Sequence, residues 1–458
     1  MDVGADEHSG AAPPPPRDIA AQIAALWRIE AARIVGALAR VVRDVGQAED
    51  LAQDALVEAL ERWPRDGLPE RPAAWLMAVA KRRAIDALRA RTRHAELDED
   101  FARELATLGL DRSEDFAPAL LDARERIADD QLRLIFTASH PLLAPDARAA
   151  LALKVLAGLS TAEIARAFLA EDATIAQRIV RAKRTLAAAG VGFEQPAPAA
   201  RAARLASVLE VVYLIFNEGH TASTGPALTR PALCDEALRL ARQLAALMPG
   251  DAEAWGLLAL LELSAARLPA RHDAAGRPVL LLEQDRSRWD RLLIRRGLDA
   301  LAHAKAPGFY ALQARIAACH AQARRAEDTD WLRIVALYDG LAQLAPSPVV
   351  ALNQAMAISR VDAPGYGPAV ALELLDQLAG EPALRGYAWL HGARADLLER
   401  LGRPDAAREA YAAALALTRN EVERAQLEAR IAYLASAACA ESSAASANIF
   451  CISAKKRS

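Results

Sequence analysis

AEDLAQDALVEALERW (Ala48–Trp63), a turn holding Pro64, Gly67 and Pro69, and PAAWLMAVAKRRAIDALRARTR (Pro72–Arg93) form the stretch whose reading decides the fold. In its first half Leu51, Ala55, Leu56, Ala59, Leu60 and Trp63 recur at three- and four-residue steps, so one helical stripe can be buried. Glu49, Asp50, Gln53, Asp54, Glu58 and Glu61 fall on the other faces. Pro64, Asp66, Gly67 and Pro69 are expected to stop this helix, because proline has no N–H to give and disfavours helical geometry in the residue before it. A second helix is expected from Pro72, with Trp75, Leu76, Val79, Ile85 and Leu88 turned inward. Lys81, Arg82, Arg83, Arg89, Arg91 and Arg93 make it cationic, and Asp86 is its one acid. A cationic helix with an aromatic near its start suits melted or single-stranded nucleic acid, whose phosphates meet the arginines and whose bases stack on rings. For either helix taken alone, an ordinary solvated face with snorkelling surface charge is the better reading.

Taken in this order, the two helices closely resemble region 2 of the extracytoplasmic-function sigma factors of bacterial RNA polymerase. The resemblance implies that Glu49, Asp50, Gln53 and Asp54 face the β′ clamp of the polymerase. It also implies that Trp75, Lys81, Arg82, Arg83, Asp86 and Arg89 lie near the −10 strand of the promoter. Arg82 departs from the pattern, since many relatives carry asparagine there.

The 458 residues are 53% hydrophobic and 25% charged, enough for two to four domains with real cores. Aromatics are only 5%, alanine and leucine dominate and β-branched runs are scarce, so an all-α protein is expected. The formal net charge of -3 says little about nucleic-acid binding, because the basic residues are concentrated locally. Cys234, Cys319, Cys439 and Cys451 stand far apart with no CxxC spacing, and no HExxH-type pair occurs, so no disulfide framework, metal or other cofactor is expected. The acidic, proline-bearing start (1–17) reads as a disordered lead-in rather than a signal peptide, and no apolar run approaches the roughly 20 residues of a membrane span. A cytoplasmic protein without membrane contact is expected.

Outward from the organising stretch, Ile19–Val45 reads as one or two helices with Ile23, Leu26, Trp27, Ile34, Leu38 and Val41 inward, completing a first domain over 18–93. Acids crowd 94–128, which reads as a solvated linker. A second helical domain is expected over 129–190, and within it LSTAEIARAFLAEDATIAQRIVRAKRTL (Leu159–Leu186) carries a helix-turn-helix pattern. Ser160 and Glu163 make a capping box. Ile175, Ile179, Ala182 and Leu186 pack inward, and Thr174, Gln177, Arg178, Arg181 and Arg184 are displayed, as a groove-reading helix requires. By itself the pattern is level with a plain structural hairpin. Following the first domain, it resembles sigma region 4, which implies −35 contacts, mostly to phosphate, from Arg178, Arg181, Lys183 and Arg184. The pair of regions implies core RNA polymerase (β′ clamp and β flap) and promoter DNA as partners.

A linker is expected over 191–203 and a large domain over 204–434. Asn217, Glu218, Gly219 and His220 close its first apolar run, and Gly219 is expected to end that helix. A Glu218–His220 acid–base pair lacks any companion nucleophile or metal constellation, so no enzyme is expected. YLIFNEGH (Tyr213–His220) resembles the opening of a tetratricopeptide-like extension found in one branch of these sigma factors. Four helix-pair repeats agree with it, around Pro249, Pro307, Pro346 and Gly402, with an insertion from Arg267 to Asp290. Such an α-solenoid would offer a surface for a peptide or protein. The tail, 435–458, lacks periodicity. The reading that follows is an all-α sigma factor regulated by its fused extension. The alternative is a conventional helix-turn-helix regulator with a repeat domain.

Overall fold

The computed structural model describes residues 19–92, 129–168, 170–194, 196–222, 226–274 and 276–436; the expected lead-in, the acidic linker and nearly all of the tail lie outside them. Among the described residues every regular element is a helix, and the one β-type pairing is an isolated bridge between His272 and Pro278. They form two compact units. One gathers the helices up to Ile164 together with Ala173–Arg204, and the other gathers Ala165–Asp172 with the chain from Leu205 onward.

In the first unit α1 (Ile19–Val42), α2 (Val45–Asp66) and α3 (Pro72–Thr92) pack on one another. The α1 stripe of Ile23, Trp27, Ile34 and Leu38 meets Ala48, Ala52, Ala55, Ala59 and Trp63 of α2 and Leu76, Val79 and Ala84 of α3, all buried. Alanines on α2 let the helices approach closely, and Trp63 fills the space beyond them. Two expectations fail here. Leu60 is 43% exposed rather than inward. The helix also runs through Pro64 to Asp66 and stops at Gly67, whose φ of 83° is a left-handed geometry that glycine takes without strain and whose N–H bonds to the Trp63 carbonyl. A proline near a helix end costs little, since the carbonyl it leaves unbonded is close to water.

Helix α4 (129–138), α5 (Pro145–Val155), α6 (Thr161–Phe168) and α7 (Asp172–Ala188) follow. The capping box forms as expected: Glu163 N donates to Ser160 Oγ at 3.1 Å, and Ser160 N donates to a Glu163 carboxylate oxygen at 2.8 Å. Ile175, Ile179, Ala182 and Leu186 are the buried face of α7.

Helix α8 runs Pro198–His220, its residues from Leu205 belonging to the second unit, so Pro198–Ala203, expected as linker, form its first turns. Gly219 does not end α8. It lies inside the helix where a Cβ would come within 2.7 Å of the Cys234 backbone nitrogen, so it serves close approach of α9 (Pro231–Leu247). Then come α10 (Ala252–Ala265), an irregular segment with three short 3-10 turns where the insertion was expected, α11 (Arg291–His303), α12 (Phe309–Gln322), α13 (Trp331–Leu344), α14 (Pro348–Ile358), α15 (Pro368–Leu378), α16 (Ala388–Arg400), α17 (Pro404–Leu417) and α18 (421–436). Consecutive helices pack as neighbours, and apolar clusters such as Leu372, Leu375, Leu390, Leu397 and Leu434 fill the spaces between them. Helix α18 continues two residues beyond the expected end of the domain. Asn420 caps it, accepting from Val422 N and Glu423 N, while its amide donates to the carbonyls of Ala222 and Ala227. That bond joins the last helix to the loop after the first, a contact that nearest-neighbour stacking of repeats does not supply. Among the described residues no helix is long and apolar enough to cross a membrane.

His320 on α12 is 9% exposed and edge-on to Trp331. Burial, then the fields of Arg267 and Arg286, push its pKa down to about 3. The unfolded chain takes up a proton below about pH 6.5 while the folded imidazole stays neutral, so this stability is complete above that pH and falls as pH drops towards 3. Acidification from pH 7 to 5 is expected to cost about 2 kcal/mol through His320 alone. Urea unfolding at both pH values checks this, and His320→Gln should remove that part of the slope.

Candidate nucleic-acid and protein interface

On α2, exposure separates residues that share the acidic pattern. Asp50 and Asp54 are exposed, Gln53 is half-buried, and Val57 and Leu60 stand exposed on the same helix. An apolar pair flanked by carboxylates suits docking of a protein with a basic rim. Glu49 behaves differently, being only 3% exposed. Its carboxylate is bound by the Lys183 ammonium of α7, and Lys154 Nζ of α5 lies 3.6 Å away. Lys183 also donates to Asp50 at 2.8 Å. Burial pulls the Lys183 pKa down, but the Glu49 charge and the bonds to Asp50 and Glu49 outweigh it and raise the value. Two expected roles are therefore corrected in this structure: Glu49 is enclosed rather than facing outward, and Lys183 points at α2 rather than being displayed for phosphate.

A second ion pair, Arg28 with Glu163 at 2.5 Å, ties α1 to the start of α6. Lys183→Glu would set a third carboxylate beside Glu49 and Asp50 and is expected to part α7 from α2 within the first unit. Small-angle scattering of the full chain should then show a larger radius of gyration, and an unchanged radius would contradict this.

Helix α3 presents its charges unevenly. Trp75 is half-buried, with its ring edge-on to Trp63 at 5.3 Å and 66°. One wall of the indole is thus braced by α2 while part of it stays accessible. Lys81 is half-buried, and burial followed by the charges of Arg40 and Arg33 lowers its pKa. Arg83 bonds Glu58 at 2.9 Å and lies 3.6 Å from Asp54; Arg82 reaches Glu58 at 3.4 Å but remains largely exposed. Asp86 and Arg89 are exposed. Acidic α2 therefore steadies the arginines of α3 without burying them, which keeps them available to phosphate.

On α7, Thr174, Gln177, Arg181 and Arg184 are exposed, as expected from the pattern. Arg178 is half-buried and 3.7 Å from Asp146 at the start of α5. Thr174, Gln177, Arg178 and Arg181 line one side of a cleft of about 440 Å³ whose other side is Leu142–Ala147. An outward helix with amide and guanidinium ends can meet base edges or phosphates. In the second unit Glu218 pairs with Arg230, whereas His220 stacks on Phe216 beside Arg271, so the two acid–base candidates have different partners.

Comparison with known proteins matches residues 26–94 to sigma-70 region 2, residues 133–186 to sigma-70 region 4, and residues 204–305 to a family of unknown function (DUF6596). An uncharacterized protein of Rhizobium meliloti is 45% identical over 88% of this chain and 93% of its own length. The probable extracytoplasmic-function (ECF) RNA polymerase sigma factor SigI of Mycobacterium tuberculosis is 28% identical over 36% of this chain and 54% of its own. The ECF RNA polymerase sigma factor SigK of a Mycobacterium species is 31% identical over 25% of this chain and 58% of its own. The chain thus spans just over half the length of these two sigma factors. No solved structure matches it.

Proposed function

Because the chain belongs to one family with the Rhizobium meliloti protein and bears sigma-70 regions 2 and 4, we propose that it is an extracytoplasmic-function sigma factor that brings core RNA polymerase to −10/−35 promoters. The observation that carries this is the docking strip of Asp50, Gln53, Asp54, Val57 and Leu60 on α2, set in one polypeptide with two helices that expose cations, α3 and α7. Core polymerase takes the α2 strip. Trp75, Arg82, Arg83 and Arg89 hold the opened −10 strand, and Thr174, Gln177, Arg178, Arg181 and Arg184 read or anchor the −35 element. The work is binding rather than chemistry, carried out in the cytoplasm.

The contact of Lys183 with Glu49 and Asp50 gives this reading a resting form. Polymerase and Lys183 compete for the same carboxylates, so docking releases α7 for DNA and frees Glu49 to join the polymerase-facing group. The DUF6596 extension, read as tetratricopeptide-like helix pairs, regulates the step by binding a peptide or protein.

Electrophoretic mobility of a promoter library with the full chain, with and without core polymerase, tests the proposal. A sigma factor gives sequence-specific complexes only when core enzyme is present. Specific, tight complexes without it would assign the chain to the conventional regulators.

A further inference from the structure

The end of α10 leads into a cluster of cations that the polymerase reading does not use. Arg267 and Arg271 stand one turn apart there. Arg271 Nη1 lies 3.3 and 3.4 Å from the two ring nitrogens of His220, its Nη2 donates to Thr221 Oγ1 at 3.2 Å, and its Nε is buried without a partner. Arg286 is anchored differently. It donates to the carbonyls of His320 at 2.5 Å and Ala323 at 2.9 Å, and its guanidinium lies 4.7 Å from the centre of the Trp289 ring.

Arg267 lies among these groups, half-buried and without a hydrogen-bond partner for its guanidinium among the described residues. Burial, then the charges of Arg271 and Arg286, lower its pKa to about 10, well short of losing its proton at neutral pH. None of the three arginines forms an ion pair among the described residues. The carboxylate fields that reach the cluster are those of Glu327 and Asp328 on Arg286 and of Glu423 on Arg271, and Glu423 is itself pushed up by burial. The Cys234 thiol is pushed by burial up to about 12 and stays neutral. Burial first, then the arginines, keeps His220 and His320 uncharged, and the Nδ1 of His320 is buried without a partner.

Guanidinium groups gathered partly out of water repel one another unless an anion neutralises them, and two adjacent forks match the oxygens of a carboxylate or phosphate. We propose that Arg267 and Arg271, with Thr221, His220 and His320 around them, form a binding site for one compact oxyanion, a phosphate or carboxylate group. Arg286 is the positioning residue that holds α12 and His320 against the pair. Neutral imidazoles fit this role, because each offers one N–H donor without adding repulsion.

Calorimetric titration of the full chain with inorganic phosphate, and separately with acetate, at constant ionic strength in chloride tests the site. One saturable equivalent per chain is expected, and whichever anion binds tighter identifies the chemistry. Arg267→Met is expected to weaken binding at least about tenfold, which is ~1.4 kcal/mol. In buffer free of both anions, the same variant is expected to melt no lower than the native protein, because it relieves like-charge repulsion. On the unaltered protein, the better-bound anion should protect Arg267 and Arg271 from phenylglyoxal, as read by peptide mass mapping. No saturable binding of either anion, equal affinity in the variant, or no protection of these arginines would overturn the proposal.

Discussion

Asp54→Arg combined with Leu60→Asp is expected to weaken binding of core polymerase by about 100-fold or more, two tenfold steps of ~1.4 kcal/mol. Both positions lie on the α2 strip, where Asp54 is 58% and Leu60 43% exposed; beyond the 3.6 Å approach of Arg83, which Glu58 also holds, the fold makes little use of them. At an interface the same two changes act together. Arginine turns an attractive carboxylate into a repulsive cation against a basic rim, and aspartate places a charge where apolar contact excludes water. Fluorescence anisotropy of labelled protein titrated with core enzyme measures the loss. Circular dichroism melts should match the native protein, which separates an interface effect from an unfolding one. Affinity within threefold of native would remove α2 from the interface.

Trp63→Ala carries the largest expected cost to the fold. The side chain is 2% exposed in the space between α1, α2 and α3, and truncating a buried tryptophan costs about 3–5 kcal/mol through lost burial and the cavity left behind. It also braces Trp75 edge-on, so its removal should loosen the ring proposed to receive a melted base. Urea unfolding followed by circular dichroism should show the first unit melting earlier, with the second unchanged. Trp63→Phe keeps part of the volume and should recover part of the loss. A native-like midpoint in the alanine variant would mean that the three helices do not rely on this packing.

Much of this arrangement was legible in the sequence because it depends on residues a few positions apart. The Ser160–Glu163 box, the buried face of α7 and most of the α2 stripe follow from helical period and capping alone. The exceptions have physical reasons. Leu60 satisfies the period of the buried stripe, but α2 turns it past the edge of its neighbours, leaving it exposed on the strip proposed to dock polymerase. Gly219 resembles a helix terminator until α9 is seen packed against it. Pro64 near a helix end is tolerated where the local rule expects a stop.

Glu49 and Lys183 show the limit most clearly. Both carry the charge and spacing of surface contact residues, yet they bury each other across 134 residues of sequence. No local pattern marks that pairing, because either residue alone would be solvated. The cation cluster around Arg267 was illegible for the same reason: its members come from α8, the turns after α10 and α12, and only the fold brings them together.

Run-off transcription with the full chain and purified core RNA polymerase on a promoter library measures the proposed activity most directly. A sigma factor yields discrete transcripts that start at fixed positions downstream of shared −10 and −35 sequences and that vanish when either the chain or core enzyme is left out. Transcripts absent from every template, or unchanged when the chain is omitted, would contradict it.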